Sequence, residues 1–600
     1  MMQVYGDVVR HEPAAAKLER IGALLQRAGR QRPGWQRHAE LIGALVEAGE
    51  LVQGLADADF RAGGDVDRRS PTASAAMALL MTIARRCASS WTHGAHAAED
   101  AGEDVPCAAL AACIACSPSN PLVVKQPEGY AFYALYPESY LEAARRVDAG
   151  ASWQVIGVRS IGTSLAAMVA VGLGAPDPIT LRPVGHPFER RVAADPSLVD
   201  SGARRYAVVD EGPGLSGSSI AAVVQWLTGV GGVAQERVHV FASHGRGPGP
   251  QCGPAVRAVW DSVQVHVASF DAIVAAPPAA RLHACVTDLL GPLQGPLREV
   301  TGGRWRALQR WPGDLPPVHP WQERRKFIAQ ARTGCWLVKF AGLGRIGADK
   351  LERARALAAR AWVAEPAGLC HGFIVERWRD DLAPLAAVPV PRGAARERLL
   401  QRVAGYLAFR AVAFPAPATS GASLLDLHGM GRHNTEEAFG AALASAWDRW
   451  PAALPTLESE AQRVEIDGRM HAWEWLVGDD TALKTDALDH HAGHDLVGAQ
   501  DIAWDIVAAG VELGLGPPEE ARLAAEVARQ AGRPASAELR EFLRAAYLAF
   551  QLGHWTEARR ACAADEAERL DAVVERYGRA LRAALERRAV AGPGGAVLTA

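Results

Sequence analysis

Lysine is nearly missing from this chain of 600 residues. It occurs at six positions, Lys17, Lys125, Lys326, Lys339, Lys350 and Lys484, against 64 Lys and Arg together. Almost every cation is therefore an arginine, and a compact ammonium does not do the work of a planar guanidinium. Where such a chain keeps lysine, the position is expected to need it. Long basic runs are also missing and the formal net charge is −3, which leaves nucleic-acid binding unsupported as a main role. No charge-free apolar stretch reaches membrane-spanning length, since the most apolar region, 155–176, contains Arg159 and several glycines. Residues 1–13 show no basic-then-apolar leader. A soluble, cytoplasmic chain with no membrane or nucleic-acid partner is expected. The nine cysteines are scattered. Cys113 and Cys116 make a single CxxC with Cys107 nearby, but no second pair or fitting histidines complete a zinc pattern, so small core residues are expected there.

Nearly half of the residues are apolar (49%), enough for several cores, and the length suggests about three or four domains. Residues 14–116 carry a helical Ala/Leu/Arg periodicity broken at Gly63-Gly64 and Pro71. Residues 518–590 read as three or four amphipathic helices, including 537–551 and 556–588. The seventeen tryptophans are spread along the chain and read mostly as core.

One segment carries the sharpest chemical pattern. An apolar strand, 206–209, ends in Asp210 and Glu211. A small-residue loop comes next, containing Gly212, Gly214, Leu215, Ser216, Gly217, Ser218 and Ser219, and then an apolar helix, 220–227. Strand, loop and helix N-terminus together favour an anion, because backbone N–H groups and the helix dipole converge there. The two acids suit ribose hydroxyls or Mg²⁺. A second strand–loop–helix lies upstream, with Arg159, Ser160, Gly162, Thr163 and Ser164 between strand 153–158 and helix 165–173. Between the two, residues 181–191 form a basic, Pro/Gly-bounded loop with Arg182, His186, Arg190 and Arg191. Strand 238–242 and loop 243–250 complete the expected carboxyl edge of a parallel sheet, where ligands gather. A Gly-rich turn with no ligand is the plain alternative.

The first segment resembles the phosphoribosyl-pyrophosphate (PRPP) motif of type I phosphoribosyltransferases, over roughly residues 128–275. The resemblance implies that Ser160, Gly162, Thr163 and the loop from Gly214 to Ser219 bind PRPP. It implies catalytic roles for Asp210, Glu211 and Arg159, with Mg²⁺ at Asp210. The basic loop would be a lid. One departure stands out: four residues, 212–215, separate the acids from Ser216 where the family usually has three.

Beyond a Pro-rich stretch at 311–320, the pattern changes. Two strands, 326–331 and 335–340, flank Arg332-Thr333-Gly334, with Lys339 in the second. A helix over 348–364 carries Glu352, and a further strand covers 372–378. A hairpin over 470–477 and 481–486 ends in Asp486, and a helix start with Asp501 and Asp505 lies beyond it. This order resembles kinase-like folds of the aminoglycoside-phosphotransferase type, over roughly 320–590. The resemblance implies ATP binding by Lys339, Glu352 and Asn434, and a catalytic, metal-binding Asp486. Gly342, Gly344 and Gly347 mimic a GxGxxG loop but come after the lysine. Residues 426–434 occupy the place of the catalytic loop, with Met430 where the family has Asp and Asn434 one position early.

The expected fold class is therefore α/β multidomain. It comprises a helical N-terminal region (1–120), a parallel-sheet phosphoribosyltransferase-like domain (121–310) and a two-lobed α+β kinase-like domain (320–590). The function implied is Mg²⁺-dependent phosphoribosyl transfer from PRPP to a small-molecule acceptor, with the fused half phosphorylating the same metabolite from ATP. Two alternatives stay open: a non-catalytic PRPP or nucleotide sensor, and a small-molecule kinase with an inactive first half. A homodimer is also left open.

Overall fold

The computed structural model describes residues 9–93, 95, 111–113, 121–147, 150–249, 252–275, 281–493 and 495–589. Three helices open the chain: α1 (Ala14–Arg30), α2 (Trp35–Ala62) and α3 (Pro71–Thr92). They break at Gly63-Gly64 and Pro71, as the composition predicts. The Ser70 hydroxyl accepts from Ala73 N–H and caps α3, with Pro71 at its first position. A short antiparallel ribbon pairs β1 (Val9–Glu12), ahead of these helices, with β2 (Leu122–Lys125), beyond them. Of the three clustered cysteines, Cys107 and Cys116 lie outside the described residues and Cys113 is buried.

Next come α4 (Glu128–Phe132) and α5 (Pro137–Arg145), then a doubly wound unit. It runs β3 (Trp153–Val158), α6 (Gly162–Leu173), β4 (Ile179–Leu181), a small hairpin β5 (Pro183–Val184) and β6 (Arg191–Val192), β7 (Arg205–Val209), α7 (Ser218–Gly229), β8 (Val238–Phe241), α8 (Pro254–Ser262) and β9 (Gln264–His266). The five strands of its main sheet are parallel, in the order β4-β3-β7-β8-β9. Strand side chains alternate. Ile156, Val158, Tyr206, Val208 and Val240 pack toward α7 and α8, and Val155, Ala207, Val209 and Phe241 pack toward α6 and the opening helices. The order reverses between β3 and β7, so the crevice at their carboxyl ends is the topological switch point.

The second half opens with α9 (Arg281–Leu290). An antiparallel sheet comes after it, made of β10 (Arg298–Glu299), β11 (Lys326–Ala331), β12 (Gly334–Phe340), β13 (Pro366–Cys370) and β14 (Phe373–Arg377) in the order β10-β11-β12-β14-β13. Helix α10 (Gly344–Ala358) lies between β12 and β13. It starts four residues earlier than the periodicity suggests, so Gly344 to Gly347 form its first turn and not a phosphate loop. The inner face of this sheet, with Phe327, Val338, Phe340, Phe373 and Val375, shares one core with the opening helices and the parallel sheet. The remainder is mainly helical: β15 (Ala383–Pro384), α11 (Gly393–Ala413), α12 (Leu424–Phe439), β16 (Arg463–Val464), β17 (Trp475–Val477), β18 (Ala482–Lys484), β19 (Gln500–Asp501), α13 (Ala503–Glu512), α14 (Pro517–Ala531), α15 (Ala537–Ala561) and α16 (Ala564–Ala589). They enclose a second core around Tyr406, Trp447, Trp475, Trp504 and Phe542. Among the described residues, no helix is long and apolar enough to cross a membrane.

Candidate functional site

Two regions gather the residues singled out in the sequence. The first is the crevice at the switch point of the parallel sheet. Asp210 directly follows β7, and its backbone carbonyl accepts from the Tyr140 hydroxyl at 2.8 Å. Its side chain accepts from Glu211 N–H at 2.8 Å, and burial pushes its carboxyl up to about 7. Glu211 accepts from Gly129 N–H of α4 at 3.2 Å. Gly214 and Gly217 take left-handed backbone angles (φ 55° and 63°), and a Cβ at Gly217 would strike Trp260 and Pro248. Gly217 caps α7, whose first turn opens at the sheet edge. Gly162 holds the first loop against the Val209 carbonyl, where a Cβ would collide.

Three residues expected to bind or act on PRPP here, Arg159, Thr163 and Ser218, do something else. Arg159 is buried, and its guanidinium donates to Asp57 at 2.9 Å, to Asp67 at 2.5 Å and to the Thr180 carbonyl at 3.1 Å. Arg182 joins the same knot through Asp57 and the Arg159 carbonyl. Arg159 is thus an internal tie between the first loop and the opening helices, not a free pyrophosphate ligand. The Thr163 side chain is fully buried. Ser218 donates to the Pro187 carbonyl at 2.6 Å, fastening the β5–β6 hairpin to α7. Ser160, Ser216 and Ser219 stay partly exposed, and Leu215 is 62% exposed at the loop tip.

The second region is a cleft in the antiparallel half. Lys339 on β12 donates to Asp486, just past β18. Asp486 holds a left-handed backbone angle (φ 52°), rare for a residue with a side chain. Burial opposes its charge, but Lys339 and His490 hold its carboxyl well below the usual range. Burial likewise works against the Lys339 ammonium, and Asp486 and Asp489 outweigh it to raise its pKa. Lys350 of α10 donates to Asp489 at 2.8 Å and is pushed down to about 8 by burial. Lys484 donates to Glu474 at 2.9 Å. Below them Asp505 accepts from Asp467 N–H at 2.7 Å and Gly468 N–H at 2.9 Å, fixing the turn after β16.

Lys339, Lys350, Glu474, Lys484, Asp486 and Asp489 border a cavity of about 150 Å³, a smaller one of about 30 Å³ behind Lys339, or both. Lys326, Lys339, Lys350 and Lys484 line one or both, so four of the six lysines converge. Arg469, Glu376 and Glu474 add charge, and Trp305, Trp378, Trp473 and Trp555 supply apolar wall. Burial pushes the Glu376 carboxyl up to about 7 and His319 down to about 3. Arg469, Asp489, Lys350 and the four tryptophans escape a local reading of the sequence. Scarcity of lysine is the one signal that points to several of these positions at once.

The cleft departs in several parts from the one the sequence motifs outline. Glu352 is exposed on α10 and does not meet Lys339. Residues 424–439 are a helix, not a catalytic loop. Asn434 is buried there, donating to the Ala549 carbonyl at 3.1 Å, and Met430 lies in the second core. Asp426 forms a capping box with Ser423. The turn that does reach the cleft is 467–471, through Arg469 and His471. Asp501 caps locally, accepting from Gln462 and Ala503 N–H.

The regions are joined by α4. Its Gly129 reaches Glu211, while the Phe132 ring lies under Lys350 Nζ at 5.2 Å and the Arg324 guanidinium at 4.7 Å.

No protein-family profile matches the chain, and no curated protein matches it in sequence. Among solved structures, choline kinase LicA from Streptococcus pneumoniae is similar over 44% of this chain and 89% of its own, at 14% identity and a TM-score of 0.31. A choline/ethanolamine kinase family protein from Mesorhizobium loti covers 52% of this chain and 96% of its own, at 13% identity and a TM-score of 0.28. Spectinomycin phosphotransferase APH(9)-Ia, in complex with ADP and spectinomycin, covers 44% and 90%, at 12% identity and a TM-score of 0.26.

Proposed function

We propose that the antiparallel half is an ATP-dependent kinase acting on a small molecule. The observation that carries this reading is the Lys339–Asp486 pair at the wall of a 150 Å³ cavity. Phosphoryl transfer asks the protein mainly for positioning and charge neutralisation. Lys339 supplies an ammonium for the phosphates, and Arg469 a second cation. Asp486 and Asp489 offer carboxylate oxygens close enough to share one ion, a donor set that suits Mg²⁺. Bound there, the ion would neutralise charge on the phosphates. Glu376, with a proton affinity near neutrality, suits the removal of a proton from the acceptor hydroxyl. The tryptophans exclude water, which limits wasteful hydrolysis. Calorimetry with ATP and Mg²⁺ on wild type and Asp486→Asn tests this. Binding weakened at least tenfold in the variant is expected, and equal binding would sink the assignment.

A second reading concerns the parallel sheet. Asp210 stands at a switch-point crevice with burial keeping its carboxyl near 7, so its charge awaits a partner. This supports a Mg²⁺-assisted site for a phosphorylated sugar such as PRPP, either for phosphoribosyl transfer or for sensing. PRPP binding accompanied by pyrophosphate release with an acceptor favours transfer. Binding without release favours sensing, and no binding to wild type removes the reading.

A further inference from the structure

Away from both regions, three segments far apart in sequence bring His38, Glu138 and His371 together inside the molecule. They come from α2, the start of α5 and the β13–β14 turn. All three are almost fully buried, at 0%, 0% and 4% exposure. Both His38 Nε2 and His371 Nε2 lie 2.8 Å from the same oxygen, Glu138 Oε1. The second carboxylate oxygen, Oε2, has no hydrogen-bond partner, and neither ring nitrogen of His371 has one of good geometry. A buried carboxylate with an idle oxygen is costly to leave so.

The surroundings hold this set rigidly. His38 Nδ1 lies 3.0 Å from Ser90 Oγ, the outer contact that fixes a ligating imidazole. His371 takes a left-handed angle (φ 43°) and is followed by Gly372 (φ 89°), which aims the turn inward. The Tyr136 hydroxyl donates to the His371 carbonyl at 2.7 Å. Trp35, Trp91 and Tyr136 rings enclose the cluster at 4.9–6.2 Å. Beyond them the Arg281 guanidinium stacks on Trp91.

We propose that His38, Glu138 and His371 form a structural divalent-metal site, with Zn²⁺ as its ion, which fastens the antiparallel sheet to the opening helices and to α5. Two imidazoles and a carboxylate binding through both oxygens give four donors, the number closed zinc sites use. The site is distinct from Asp486 and Asp489, which present oxygens to the cleft.

The test is the metal content of the full chain purified without chelator, read by elemental analysis, with a thermal-shift assay alongside. One zinc per chain is expected in wild type and in Asp486→Asn, and none in His371→Ala. A zinc chelator should lower the Tm of wild type but leave that of His371→Ala unchanged. Because His371→Ala removes a buried side chain, His371→Cys is the second variant, and it should retain zinc. Metal that vanishes in Asp486→Asn and persists in His371→Ala would overturn the proposal. So would a folded wild type that carries no zinc and takes up none from equimolar ZnCl₂, which would make the cluster a proton-sharing one.

Discussion

Asp210 and Asp486 make an instructive pair. Each lies just past the end of a strand, each is half-buried, and each stands at the mouth of a crevice. Their proton affinities move in opposite directions. At Asp486 a lysine and a histidine face the carboxylate and overcome the cost of burial. At Asp210 the arginines that could do so, Arg159 and Arg182, are turned away to Asp57, and burial wins. One site carries its own counter-charge, and at the other burial outweighs the cations nearby. The geometry of a strand end therefore does not define a site until the cations around it are located.

The contrast can be broken at several points. Asp486→Asn removes the carboxylate that pairs with Lys339. A fall in ATP turnover of roughly 10²- to 10³-fold is expected, measured per folded protein. Arg159→Ala leaves Asp67 buried without its main partner, while Asp57 keeps Arg182, and should destabilise the fold by about 3–5 kcal/mol in denaturant unfolding. Asp210→Asn tests the sign of its proton affinity. Its folded-state pKa is raised, so the bound proton stabilises the protein at low pH, and that contribution is lost as pH climbs through about 7. The variant should thus gain Tm over wild type at pH 8 but not at pH 4. Binding of Mg²⁺ with PRPP should strengthen more steeply in wild type as pH rises through about 7 than in Asp210→Asn, where only the ligand's own phosphate titrates. At the small end, Glu352→Ala should change stability by no more than about 0.5 kcal/mol and leave ATP turnover unchanged. A large loss there would restore the lysine–glutamate pairing that the structure does not show.

Much of the architecture is legible in local pattern. The strand–loop–helix units, the breaks at Gly63-Gly64 and Pro71, and the strands bearing Lys339 and preceding Asp486 all announce themselves within a dozen residues. Local pattern fails where a partner sits far away in sequence. Arg159 looks like a phosphate ligand until Asp57, 102 residues earlier, is placed beside it. Asn434 looks like part of a loop because its neighbours resemble a motif. Yet Ser423 and Asp426, three apart, already spell a helix start. Glu352 is suggested by analogy of position, and helical phase puts it on the wrong face. Tryptophans scattered through 250 residues of chain, Trp305 to Trp555, meet at one cavity only after folding.

Helix α4 is five residues long and touches a carboxylate of one region and two cations of the other. Through it the two regions are in direct contact. A ligand that draws Glu211 toward itself acts on the same peptide that carries Phe132 beneath Lys350. Linkage is symmetrical, so whatever factor a ligand in the cleft imposes on affinity at Glu211, a ligand at Glu211 must impose on the one in the cleft. Any coupling between the halves along this path would run through less than two turns of helix.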